Sequence, residues 1–259
     1  MTVPPPRRKQ LKDVPGGRGG NRGTNMSWRC SALSNAALCE NMASAGLISR
    51  GPALEALAAC DRGFFLPPTL PAKIVYQDAP YPIGFGATIS APHMHAAVLE
   101  ALRAKLIPGS RVLDVGSGTG VLVAIFAKLV CGGGGKVVGV DHVPELVASS
   151  RDSLRACAAG DGDLAAALAA GAVELVVGDG RLGHAPGAPW DAIHVGAAAP
   201  TLPSALVEQL APGGVLIIPV GGEEQSLLEV SKDAQGKVST RELFGVRYVP
   251  LTDLRHQLQ

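Results

Sequence analysis

Val112-Leu113-Asp114-Val115-Gly116-Ser117-Gly118-Thr119-Gly120 is the stretch on which the reading of this chain turns. A short apolar run leads into three glycines at alternate positions, and an apolar helical pattern continues from residue 120 to 130. The order is that of a buried strand, a tight turn and the opening of a helix. Glycine suits such a turn because it adopts φ > 0 readily and brings backbone close to a ligand with no Cβ in the way. In an open α/β sheet ligands bind outside the carboxyl ends of the strands, and this turn sits at such an end.

Outward from the turn, helix and short apolar strand keep alternating. Residues 92–106 read as helix, 111–115 as strand, 136–140 as strand and 144–158 as helix. Strands follow at 173–177, 192–195 and 215–220, with a helix at 202–210; the Ala/Gly-rich stretch 156–171 says little beyond its composition. Residues 226–232 and 243–248 read as two closing strands about a turn at Gln235-Gly236. This alternation predicts an α/β fold, a doubly wound and mostly parallel Rossmann-like sheet with an antiparallel C-terminal edge. Upstream, one helix runs through Leu38 to Ala45 and stops at Gly46. A second opens at Gly51-Pro52, where proline fits a first turn. Pro67, Pro68 and Pro71 then force an extended passage, so an N-terminal helical cap is expected. Residues 1–25 stand apart: Pro4-Pro5-Pro6 and scattered glycines surround Arg7, Arg8, Lys9, Lys12, Arg18 and Arg22. They read as a disordered basic extension. The expected organisation is that extension, then one domain over 26–259, with the cap and its following loop at 26–91 and the α/β core at 92–259.

Composition narrows the function classes. A chain of 259 residues with 47% hydrophobic residues can bury a sizeable core. The net charge of +1 and only 4% aromatic residues argue against a nucleic-acid surface. The most apolar stretch, 121–140, is broken by Lys128, Lys136 and the run Gly132 to Gly135, so no membrane span is expected. Five cysteines without a C-x-x-C fit reduced thiols in a cytosolic protein. Pro6-Arg7-Arg8-Lys9 also suits a nuclear address or organelle presequence. His93 and His95 form an H-x-H pair with no third ligand in view, so no metal is expected.

A dinucleotide fingerprint, G-x-G-x-x-G, would place its third glycine at position 121, which is Val121. The pattern here is G-x-G-x-G, with Asp114 two residues before the first glycine. That arrangement suits S-adenosylmethionine, which has no pyrophosphate and whose amino-acid end carries an ammonium for a carboxylate to hold. Val137-Val138-Gly139-Val140-Asp141 ends the next strand in an acid that can accept from ribose hydroxyls, with His142 beside it for the adenine edge. Asp141 can equally cap the helix opening near Pro144. Gly178-Asp179-Gly180 closes the third strand, so three acids at three strand ends are expected to face one crevice.

Ile83-Gly84-Phe85-Gly86-Ala87-Thr88-Ile89-Ser90-Ala91-Pro92-His93-Met94-His95 resembles the signature segment of the protein-L-isoaspartate O-methyltransferases. Val177 to Arg181, Asp191 to Pro200, Leu210 to Gly214 and Tyr248 to Thr252 match that family in order. The resemblance covers about 26–257, with Met26-Ser27-Trp28 similar to a family start. It implies methyl transfer from S-adenosylmethionine, with S-adenosylhomocysteine as product, to the free α-carboxyl of L-isoaspartyl residues, and to D-aspartyl residues as a further candidate. The partners are then damaged proteins and peptides, and the enzyme a monomer. By position, Ser90 is the implied active-site residue. Ala87, Thr88, Ile89, Ser90 and His95 border the cofactor. Asp114, Gly116, Ser117, Gly118, Asp141, His142, Asp179 and Gly180 contact it, and Thr252 and Gln257 close over it. Ile83, Ala87, Ser90, Val195, Gly196 and Ala197 face the substrate. The chain departs from the family pattern in the long run Gly132 to Gly135, in the alanine-rich 156–171, and in Gly86, which stands where a polar residue is more common.

The acceptor carboxylate is ionised near neutral pH, its reference pKa being roughly 4, so no general base is expected. Ser90 is expected to hold that carboxylate by a hydroxyl hydrogen bond. Two alternatives are a methyltransferase for another acceptor, such as RNA or a protein amine, and a non-catalytic adaptor that recognises damaged proteins. The near-neutral charge and the Ala-Thr-Ile-Ser segment disfavour the first, and the intact glycine turn with its three acids disfavours the second.

Overall fold

A computed structural model describes residues 30–257. The expected basic extension 1–25 and the segment Met26-Ser27-Trp28 lie outside the described residues.

Three short helices come first. α1, Asn35–Ser44, is capped by Ser34, whose hydroxyl accepts from the Ala37 N–H. α2, Pro52–Ala59, carries proline in its first turn. α3, Ala72–Val75, is a single turn after the prolines. A small antiparallel hairpin, β1 Tyr81–Gly84 with β2 Ala87–Ile89, then leads into α4, Pro92–Leu102. The expected helix 92–106 ends early, and residues 103–105 only wind on as a turn.

The core alternates as expected: β3 Arg111–Val115, α5 Val121–Val130, β4 Lys136–Asp141, α6 Pro144–Ala158. Next come α7 Gly162–Ala169, β5 Val173–Val177, β6 Trp190–Val195 and α8 Ser204–Glu208. β7 Leu210–Gly221, β8 Gln225–Lys232, β9 Val238–Val246 and the single turn α9 Leu254–Gln257 complete it. α7 falls inside the alanine-rich stretch. Asp161 caps it by accepting from the Leu164 N–H, and alanine, the best helix former, does the rest.

The seven-stranded sheet runs β5-β4-β3-β6-β7-β8-β9. β5, β4, β3, β6 and β7 are parallel, and β8 and β9 add antiparallel at the edge. Side chains alternate between the faces. Val112, Val137 and Ala192 pack under α4 and α5, while Leu113, Val115, Val138, Val140, Ile193 and Val195 pack on the other face with Leu206 of α8. Both faces are covered, which is why these strands are nearly continuous apolar runs. α5 is buried along almost its whole length, sandwiched between sheet and cap. The chain proceeds β3→β4→β5 in one direction and crosses back to β6, so the strand order reverses between β3 and β6. Open α/β sheets bind ligands at that reversal.

Candidate active site

The glycine turn opens at the carboxyl end of β3. Gly116 and Ser117 donate to the Val140 carbonyl, at 2.8 and 3.1 Å, and Gly118 donates to Asp141 Oδ2 at 3.0 Å. Gly118 has φ +52, and the position a Cβ would take lies 3.4 Å from Ile83 Cδ1. The β1–β2 hairpin therefore packs directly on the turn, and the positive φ there is what favours glycine. Across the reversal, Gly196 donates to the Val115 carbonyl at 2.8 Å, and a Cβ there would meet the Gly116 oxygen at 2.9 Å.

Between these elements lies an open cleft. Its wall includes Ala87 and Thr88 from the hairpin, Gly116 and Gly118 from the turn, and Asp141 and His142 from β4. Gly180, Gly196 and Ala197 join from the neighbouring strand ends, and Thr252 and Gln257 from the C-terminal segment. Val140, Val249, Pro250 and Leu251 complete the lining and were not expected there. The segment after β9 crosses the cleft as a strap. It is fixed by Ala198 N–H to the Val249 carbonyl and Leu251 N–H to the Ala198 carbonyl, each 2.8 Å. Gln257 anchors its far end, donating from Nε2 to the Phe85 carbonyl at 2.9 Å and placing Oε1 2.5 Å from His142 Nε2. Gly86, one of the departures from the family pattern, lies under this anchor, where a Cβ would meet the Gln257 carbonyl at 3.2 Å.

Several expected site residues sit behind the wall. Asp114 lies inside β3, is 2% exposed, and is paired at 2.6 Å with His194 Nδ1 of β6. Asp179 is gripped by Arg181, whose Nε and Nη2 reach both carboxylate oxygens, and this hydrogen bonding holds its pKa below the usual value. Of the three strand-end acids, only Asp141 lines the cleft. Asp141 Oδ1 also accepts from the Val143 N–H, so its capping of the turn before α6 coexists with its place on the wall. Ile89 and Val195 are buried beneath the lining, and Ser117 is buried in the turn.

Ser90 stands half-buried one residue past the hairpin. Its carbonyl accepts from Arg62 Nη1 at 3.0 Å. Desolvation pushes Tyr248 up to about 12, with the Ser90 hydroxyl acting the other way. Arg62 is itself 4% exposed and makes no carboxylate bond; burial lowers its pKa to about 10, with the Asp78 charge opposing. Asp78, also buried, takes the His93 N–H and lies 2.8 Å from His93 Nδ1. His95 is buried away from the cleft, and burial followed by the Arg62 charge holds its pKa well below the ordinary imidazole value. His93 and His95 thus face different partners, and among the described residues no group of three His, Cys, Asp or Glu could hold a metal. Arg62, Asp78 and His194 were missed from the sequence. The available signal was charge at positions otherwise patterned as core.

Residues 33–256 match the family model described as protein-L-isoaspartate(D-aspartate) O-methyltransferase. The chain belongs to that family. Among the methyltransferases it resembles, protein-L-isoaspartate O-methyltransferase 1 of Arabidopsis thaliana is 48% identical over 90% of this chain and 97% of its own length. The protein-L-isoaspartate O-methyltransferase of Caenorhabditis elegans is 41% identical, over 90% and 98%. A solved beta-aspartate methyltransferase (PCMT) from Plasmodium falciparum, in complex with S-adenosyl-L-homocysteine, superposes with a TM-score of 0.74 at 33% identity. It covers 85% of this chain and 98% of that one.

The cleft fits the cofactor that this family membership implies. Gly116, Gly118, Gly180 and Gly196 on its wall place no side chain in the space, and the Asp141 carboxylate beside them is an acceptor for ligand hydroxyl groups.

Proposed function

We propose that this methyltransferase transfers a methyl group from S-adenosyl-L-methionine to the free α-carboxyl of L-isoaspartyl residues, and also of D-aspartyl residues, in damaged proteins and peptides. The observation that carries the reading is the cleft at the strand reversal, crossed by the strap and walled on one side by Thr88, two residues before Ser90. On this reading residues 26–259 act as one methyltransferase domain, as a monomer in the cytosol, with neither nucleic acid nor a membrane as a partner.

Gly116, Ser117 and Gly118 take the amino-acid end of the cofactor, with Asp114 lending its charge from beneath. Asp141 accepts from the ribose hydroxyls, and His142, Asp179 and Gly180 bound the adenine. Ala87 and Thr88 shape the hairpin side, with Ile89 and His95 supporting it from behind, and Thr252 and Gln257 close over the top. Ile83, Ala87, Ser90, Val195, Gly196 and Ala197 border the acceptor peptide. The bound cofactor supplies an electrophilic methyl group on a sulfonium leaving group. Ser90 donates its hydroxyl hydrogen to one oxygen of the acceptor carboxylate and turns the other toward that methyl group. No proton is removed, so the remaining contribution is orientation, which can be worth about 7–11 kcal/mol. The amide nitrogen of the following residue then attacks the methyl ester, losing its proton and expelling methanol, and the succinimide formed hydrolyses in part to normal aspartate.

The test uses labelled S-adenosylmethionine with matched isoaspartyl and aspartyl peptides. A base-labile label on the isoaspartyl peptide alone is expected; an amine-stable label, or none, overturns the assignment. Ser90→Ala should cut turnover by about 10- to 150-fold, the worth of one hydrogen bond to a charged group, while cofactor affinity persists. Trapping a methylated or acylated Ser90 would refute its positioning role.

A further inference from the structure

Among the described residues Phe85 is the one non-glycine with positive φ, at +54. It occupies the tip of the β1–β2 hairpin between Gly84 (φ +89) and Gly86 (φ +68), where glycine or asparagine would stand without strain. The ring does not repay that strain inside the protein, since the residue is 42% exposed. Its backbone, in contrast, is fixed. The carbonyl accepts from Gln257 Nε2, Gly86 lies against Gln257, and Ile83 packs on the glycine turn. A strained, rigidly mounted and exposed aromatic residue therefore stands at the hairpin tip, two residues before Ala87 on the cleft wall.

We propose that Phe85 is a specificity residue: its ring packs against the side chain adjoining the isoaspartyl residue and favours substrates in which that neighbour is apolar. The inference rests on the proposed function. A peptide whose isoaspartyl carboxyl reaches Ser90 must run its backbone past the hairpin, because Ser90 directly follows β2. An aromatic face offers such a neighbour apolar area and edge contacts at little entropic cost. Nothing charged at the tip competes, since the residues from Ile83 to Ala87 carry no ionisable side chain.

Phe85→Asn and Phe85→Tyr would be compared with the parent on two isoaspartyl peptides, one flanked by leucine and one by glycine, and each protein titrated with S-adenosylhomocysteine by calorimetry. For Phe85→Asn, kcat/KM on the leucine-flanked peptide should fall about five- to tenfold through KM, as expected for losing part of one ring's contact. The glycine-flanked peptide should change less than about twofold, Phe85→Tyr should restore the preference, and cofactor affinity should hold. Equal losses on both peptides, no loss on either, or a loss traced to weaker cofactor binding each overturn the proposal while leaving the function standing. A parent protein that methylates neither peptide overturns the function, and this inference with it.

Discussion

Replacing Gln257 with alanine should loosen the strap without disturbing the sheet. The amide makes two bonds, 2.9 Å to the Phe85 carbonyl and 2.5 Å to His142 Nε2, and they tie three separate segments of the cleft together. A net hydrogen bond is worth about 0.5–1.5 kcal/mol, so the pair is worth about 1–3 kcal/mol. At about 1.4 kcal/mol per factor of ten, the upper end would weaken ligand binding about 100-fold. The bond to Phe85 is solvent-exposed, which moves the expectation toward about tenfold. Isothermal titration of Gln257→Ala with S-adenosylhomocysteine should show that rise in Kd. The ligand-free thermal midpoint should move by less than about 2 °C, because only the final helical turn is released. If the affinity stays within twofold of the parent, the strap does not hold the ligand and the reasoning fails.

Two further outcomes follow from buried groups. The imidazole of His95 is held well below its usual pKa, first by burial and then by Arg62, so the unfolded chain takes up a proton there that the folded one does not. Its contribution to stability is complete above about pH 6.5 and drains away as pH falls toward the folded value, at up to about 1.4 kcal/mol per unit. Urea unfolding at about pH 7.5 and about pH 5.5 should show this slope flattened in His95→Gln, and an unchanged slope would count against it. Gly180→Ala would place a Cβ 2.4 Å from Val115 Cγ1. Such overpacking costs about 1–3 kcal/mol, so the midpoint should drop about 3–10 °C in a thermal melt, with weaker S-adenosylhomocysteine binding.

The parallel core was legible because its strands are continuous apolar runs punctuated by glycine, the pattern a sheet covered on both faces imposes. α7 was not, since alanine and glycine carry propensity without a period, and only the cap at Asp161 marks its start. The last strand was expected at 243–248 but occupies Val238–Val246. Tyr248 and the apolar residues after it look strand-like, yet the Tyr248 N–H and carbonyl are bracketed by the Gln225 side-chain amide and the chain departs to become the strap. At the site, the glycine turn and Asp141 could be read locally. Asp114 could be read as an acid before the glycine turn, but its partner could not, since His194 lies 80 residues away and only the β3–β6 pairing brings the two together.

The two bonds of Gln257 span 115 and 172 residues. A nascent polypeptide therefore has its glycine turn long before it has a finished binding chamber, and its sheet is complete at Val246, eleven residues short of that glutamine. Small-molecule ligand therefore stabilises most strongly the molecules synthesised through Gln257. A protease that trims the strap would leave a folded but leaky remnant, which a ligand-induced thermal shift would distinguish from intact protein.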